Sequence, residues 1–220
     1  MNALLDQNIF LQTGLDSASL TQLGAIIHQF TEPGDYRGVA LRGGQAEATF
    51  TLRVDPASAA TQVNIDLATL QASATKSGCC GQAGNPVFTV NPTGYAVFHV
   101  SSGAGGYAAH VGKIDRGPQP KSFDSRHLAP GDLFSATIIR PGSYTASAAG
   151  VEGECQIVVA YPVRGAKPFQ PPAALRVAVS DSGFKPKRVE LKPAQGLIFE
   201  LRQTTSLKIE LVTPDDGPQS

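Results

Sequence analysis

Apolar and polar side chains alternate with a period of two along most of the chain after Gly34, which is the pattern of half-buried β-strands and not of helices. Phe50, Leu52 and Val54 alternate with Thr49, Thr51 and Arg53, and Val63, Ile65 and Leu67 alternate with Gln62, Asn64 and Asp66. Short runs of the same kind recur at 86–90, 94–100, 106–111, 132–139, 143–148 and 155–161, punctuated by Gly, Pro, Asn or Asp. Many short strands with regular turn signals indicate an antiparallel sandwich or barrel. The 23 Gly and 16 Pro, with only 16% charged residues, suit turns and strands better than a helical bundle. The fold class expected is therefore mainly β: an antiparallel β-sandwich with an N-terminal helix and a smaller C-terminal β unit.

The helix is expected in the segment 1–33, an N-terminal arm followed by an amphipathic stripe. Leu20, Leu23, Ile26, Ile27 and Phe30 fall at a spacing of three to four, Ser17 or Ser19 is the N-cap, and Pro33-Gly34 is the stop. The sandwich domain is expected over 34–163. The run PVRGAKPFQPP at 162–172 reads as a stiff connector, with the linker proper at 164–172. Strand patterns resume at 175–179, 187–191, 197–201 and 207–211, giving a small β unit over 173–214. RGVALRGGQAEATFTLR (37–53) echoes KRVELKPAQGLIFELR (187–202), and TQVNIDL (61–67) echoes SLKIELV (206–212), so the small unit reads as a partial repeat of 34–67. Half a sandwich leaves an apolar face uncovered, so this unit is expected to dock on the first domain or on another chain.

Two stretches carry a resemblance. GFKPKRVELKPAQGLIFEL (183–201) resembles the opening strands of cupredoxin-type β-sandwich domains, and FSATIIRPGSYTASAAGVEGECQIVV (134–159) resembles their closing hairpin. The resemblance implies that family's fold. It does not carry the family's copper chemistry. The family places a Cys two residues after the Tyr, then a His and often a Met. Here Ala146 follows Tyr144, and no His lies beyond His127. A blue-copper centre needs two His and one Cys, so no cofactor is expected.

Other chemistry-bearing residues are few. Gly78-Cys79-Cys80-Gly81 places adjacent thiols in a Gly-flanked loop, suited to a vicinal disulfide or a soft metal. His99 and His110 fall on neighbouring expected strands joined by SSGAGG (101–106), where a hairpin would bring the imidazoles together. No metal site is expected, because the spacing of Cys79, Cys80, His99 and His110, the candidate ligands were there one, is not that of a zinc site and a third ligand is missing beside the two His. Cys155 shares strand parity with Ile157 and Val159 and is expected in the core. The 115–132 loop holds Asp124, Ser125, His127 and Asp132, residue types a hydrolase uses, without the strand–turn–helix context of a nucleophile elbow.

The 18 basic and 18 acidic side chains balance, which removes the electrostatic footprint of a nucleic-acid binder. No run of about 18 apolar residues suggests a membrane span. No Lys or Arg precedes Arg37, so the charged start of a secretory signal is missing and a cytoplasmic location is expected. The expected function is that of a non-enzymatic structural or interaction protein. It would self-assemble as a homo-oligomer or dock to other protein chains through Leu20, Leu23, Ile26, Ile27 and Phe30 and through Leu197, Phe199 and Leu201. The alternatives are a metal- or ligand-binding cupredoxin-like sandwich and a hydrolase using the 115–132 loop.

Overall fold

A computed structural model of the chain describes residues 8–70, 85–114, 122–161, 170, 172–192 and 194–217. The first half contributes the short helix α1 (Asn8–Leu11) and strands β1 (Gly14–Asp16), β2 (Gly24–His28), β3 (Gly34–Arg42), β4 (Gln45–Val54), β5 (Gln62–Asp66), β6 (Val87–Val90), β7 (Tyr95–His99) and β8 (Tyr107–Lys113). The second half contributes β9 (Ser122–Asp124), β10 (Leu133–Thr137), β11 (Gly142–Ala148), β12 (Cys155–Val159), β13 (Leu175–Ser180), β14 (Gly183–Lys185), β15 (Arg188–Leu191), β16 (Gly196–Leu201) and β17 (Leu207–Pro214). The mainly β expectation holds, and β4 to β8 and β10 to β12 fall in the alternating runs; β9 falls in an expected loop, and four strand pairs run parallel where an antiparallel sandwich was expected.

The strands form three sheets. A long seven-stranded sheet runs β14-β13-β16-β10-β2-β7-β5. One five-stranded sheet, β6-β4-β3-β8-β9, belongs with one end of it, and a second, β1-β17-β11-β12-β15, with the other. Phe50 of β4 lies 6.4 Å from Phe98 of β7, and Phe123 of β9 stacks on Phe98 at 5.1 Å, joining the first short sheet to the long one. At the other end Leu15 of β1 lies over Gly24 of β2 beside Phe134 of β10. One continuous core results, with Phe50, Phe98, Phe134 and Phe199 fully buried. Local chemistry sets the turns. Gly43 and Gly44, both at positive φ, close the two-residue hairpin between β3 and β4, as that turn requires.

The two halves are copies related by an approximate two-fold axis. A constant offset carries Asp16, Ser17, Leu20, Pro33, Gly34 and Tyr36 onto Asp124, Ser125, Leu128, Pro141, Gly142 and Tyr144. The bonds repeat with the residues. Ser17 Oγ accepts the Leu207 N–H at 2.9 Å, and Ser125 Oγ accepts the Ala109 N–H at 2.8 Å. Tyr36 Oη donates to the Glu32 carbonyl and Tyr144 Oη to the Arg140 carbonyl, each at 2.8 Å. Strand order repeats too: β4 runs parallel to β6 and β5 to β7, as β12 runs parallel to β15 and β13 to β16. The axis passes between β2 and β10, whose antiparallel ladder sets Ile26 against Phe134, Ile27 against Leu133 and Ala25 against Ser135. This is the self-complementary register of an isologous dimer, here within one chain. The first strands are exchanged: β1 pairs with β17, the last strand of the second half, and β9 pairs with β8, the last strand of the first.

Several expectations are corrected. Residues 19–30 do not form a helix; they form a bridge from Leu20 to Tyr107, a turn, and β2 at the centre of the long sheet. Gly24 weakens a helix here, and β-branched Ile26 and Ile27 favour a strand. A central strand is covered on both faces, so its near-continuous apolar run imitates a helical stripe. Leu20, Ile26 and Phe30 are buried inside the chain, with Leu23 and Ile27 half-buried. Leu197, Phe199 and Leu201 are buried as well. The faces expected to dock on partners are covered within the chain. Nor do the segments 34–163 and 173–214 keep separate sheets, because β13, β14 and β16 extend the long sheet while β15 and β17 flank β11 and β12. The linker lies largely outside the described residues. The echo of 37–53 in 187–202 joins strands that are not counterparts: β3 and β4 correspond to β11 and β12.

Candidate functional site

The two-fold repeat places one groove in each half, and the grooves differ. In the second half, Gly14, Leu15, Thr137, Ile138, Ile139 and Tyr144 line the groove. Ile9 of α1 and Gln12 line it as well, around a cavity of about 10 Å³. Gln12 is tied down by hydrogen bonds from its amide to the Gly14 carbonyl, at 3.1 Å, and to the Thr21 hydroxyl. The counterpart residues in the first half are Ser122, Phe123, Gln29, Phe30, Thr31 and Tyr36; together with His28 and Glu32 they line a cleft of about 360 Å³. That volume is within the range of small binding sites.

The floor of this cleft is the one end of the β2–β10 ladder where the copies diverge in chemistry. At the far end of the ladder the facing residues are Gly24 and Ala136. At the cleft end, the same two strands bring together His28 and Asp132. His28 Nδ1 lies 2.5 Å from Asp132 Oδ1, with Asp132 buried and the His28 side chain 21% exposed. The other carboxylate oxygen of Asp132 accepts the Ala129 N–H at 2.7 Å. The imidazole is packed edge-on to Phe30 at 4.4 Å and tilted on Phe123 at 4.5 Å, which fixes its plane. At the rim, Glu32 pairs with Lys113 at 3.3 Å. Burial, with the Glu32 charge adding to it, raises the Tyr36 pKa above the usual phenol value, so its hydroxyl stays a donor.

The residues singled out from the sequence lie elsewhere. Cys79 and Cys80 are outside the described residues. His99 and His110 do not share a hairpin: β7 belongs to the long sheet and β8 to the first short one, with His99 opposite Ala25 and His110 opposite Val39 and Asp124. Among the described residues, no group of three or more His, Cys, Asp and Glu side chains is placed to hold a metal ion. Cys155 is fully buried, and burial pushes its thiol up to about 11. In the described part of the 115–132 loop, Ser125 is buried and its Oγ is committed to the Ala109 N–H. Asp124 is engaged by Arg126 at 2.7 Å, His127 is exposed, and Asp132 bonds to His28.

Sequence reasoning placed residues 19–30 in a helix and Asp132 in the 115–132 loop, and so missed the pairing of His28 with Asp132. The signal that finds it is the repeat itself. Asp-Ser-x-x-Leu at 16–20 and 124–128 is followed at equal distance by Pro-Gly-x-Tyr at 33–36 and 141–144. Aligning the two copies sets Gly24 against Asp132 and His28 against Ala136, the only place where the β2 and β10 segments gain ionisable groups. No helix among the described residues is long and apolar enough to cross a membrane. No protein-family model, no curated protein and no solved structure matches the chain.

Proposed function

We propose that this chain is a non-enzymatic interaction protein, a duplicated and cupredoxin-like β-sandwich that docks a partner chain at the aromatic-walled cleft of its first half. The His28–Asp132 pair at the cleft end of the β2–β10 ladder carries the reading. Groups that serve the fold recur in both copies, as Ser17 with Ser125 and Tyr36 with Tyr144. The His28–Asp132 pair recurs in neither, and it costs desolvation in a sheet that a Gly–Ala pair closes equally well at the other end. A polar pair retained at such a place, beside an aromatic-walled cleft, supports a binding role. The apolar faces first expected to make contacts are used inside the chain, so the cleft takes their place as the docking surface.

A photo-crosslinking residue at exposed Thr31, on the cleft wall, tests this in the cells that make the protein. One discrete adduct is expected from position 31, weakened by His28→Ala, and none from exposed position 143. Absence of an adduct at 31, or the same adduct from both positions, contradicts the reading.

A further inference from the structure

We infer that the two halves hold together through their exchanged first strands and central ladder, and not through the covalent link between them. Cut after Ile114, the protein persists as two interlocked fragments, 1–114 and 115–220. The molecule contains its own precedent for this. The two-fold axis generates two equivalent junctions, and at each the last strand of one half receives the first strand of the other. At one junction β8 and β9 are consecutive in sequence. At the other, β17 receives β1 from the opposite end of the sequence, with no connecting segment to bring the two together.

The pairing is the same at both. At the unlinked junction Leu15 lies opposite Ile209, the Ser17 N–H donates to the Leu207 carbonyl at 2.9 Å, and Ser17 Oγ accepts the Leu207 N–H at 2.9 Å. At the linked junction Phe123 lies opposite Val111, the Ser125 N–H donates to the Ala109 carbonyl at 2.9 Å, and Ser125 Oγ accepts the Ala109 N–H at 2.8 Å. A covalent connection therefore adds nothing visible to the geometry of the seam. The β2–β10 ladder supplies a third seam at the axis.

Side chains lock these seams. Phe123 of the second half is buried in the first, stacked on Phe98 at 5.1 Å and edge-on to Phe30 at 6.0 Å. Leu15 of the first half is buried in the second, where it shares a groove with Ile138, Tyr144 and Ile209. Parting the halves exposes both side chains to water and opens the edges of β2 and β10. Against that cost a tether supplies only effective concentration, about millimolar for a short link. Both grooves draw residues from both halves, so they exist only while the halves are together. A two-chain form keeps them.

A cut after Ile114 copies the unlinked junction. Ile114 is 62% exposed, and its N–H is held by the Asp35 carbonyl at 2.8 Å, so the end of β8 stays anchored while the cut site is reachable. Residues 115–121 then lead into β9 from a free end, as residues 8–13 lead into β1. The test inserts the recognition sequence of a specific protease between Ile114 and Asp115 of the full chain. Cut and uncut protein are compared by sedimentation velocity and by ¹⁵N amide spectra. The cut protein is expected to sediment as one species with the mass of the whole chain at micromolar concentration, with a dissociation constant below about 1 μM. Amide resonances of β1, β2, β10 and β17 should stay in place, and the melting temperature should become concentration-dependent. In the cut protein Phe123→Ala should raise the dissociation constant at least about tenfold. Leu15→Ala, at the opposite junction, is read in its place where Phe123→Ala does not fold uncut. Fragments that separate at micromolar concentration, or that unfold or precipitate on cutting, overturn the inference. So does a dissociation constant that both variants leave unchanged. The cut wild-type chain decides the claim by itself, whatever the variants do.

Discussion

Ser17 and Ser125 show most simply what each copy needs. Each is buried, and each hydroxyl accepts a backbone N–H, from Leu207 and from Ala109. Replacing either by Ala leaves a buried donor without a partner, which costs about 1–3 kcal/mol. Ser17→Ala and Ser125→Ala are expected to lose similar stability by urea unfolding, and a neutral result at one site would break the equivalence. Cys155 gives a second expectation. Its thiol is fully buried and pushed up to about 11, so with Cys79 and Cys80 changed to Ser the native chain should resist thiol reagents at mildly alkaline pH and react on unfolding. A third concerns pH. Burial acts to raise the pKa of Asp124, but the Arg126 side-chain and backbone hydrogen bonds outweigh it and hold the carboxyl below its ordinary value. A carboxyl depressed in the folded state adds stability above its unfolded pKa, about 4, and loses it as pH falls through the folded value. Asp124→Asn should therefore lower stability at neutral pH and flatten its decline below about pH 4.

Most elements were legible because alternation is a local signal. Runs at 49–54, 62–67 and 143–148 were set by side chains that fall alternately in the core and in water, and β4, β5 and β11 lie there. The segment from Ser19 to Phe30 was not legible in the same way. Its burial depends on strands far away in the sequence, β7 on one side and β10 on the other, so its period carries little information. The exchange of β1 and β9 is likewise invisible to any local pattern, because three residues choose a partner by what remains open at a sheet edge. It has a measurable consequence. A chain beginning at residue 17 lacks β1, which covers β17 of the other half. Hydrogen exchange should then quicken at Ile209 and Leu211, whose N–H groups face β1, and stay slow at Val111 of β8, which β9 covers. Loss of protection at Val111 of β8 instead would place β1 on its own half.

On the scale of the molecule, the chain is a dimer made covalent. The ladder between β2 and β10 is self-complementary about Ile26 and Phe134, and the first strands cross to opposite halves. This explains why neither terminal region stands alone. The C-terminal strands divide between the long sheet and the second short one, and residues 14–28 divide between the same two. It also explains why the site was hidden. The cleft is assembled from the end of β2 and the residues after it, from Tyr36 of β3 and from the start of β9, and it stands out only against a twin that the two diverged copies, alike at a handful of positions, barely advertise. The exchange is the claim on which the comparison of grooves depends, because Leu15 and Phe123 reach their grooves through it. Backbone nuclear Overhauser contacts in the full chain test it most directly. The account predicts cross-strand contacts between Leu15 and Ile209 and between Phe123 and Val111. Contacts between Leu15 and Val111 and between Phe123 and Ile209 would show that each half keeps its own first strand, and would contradict it.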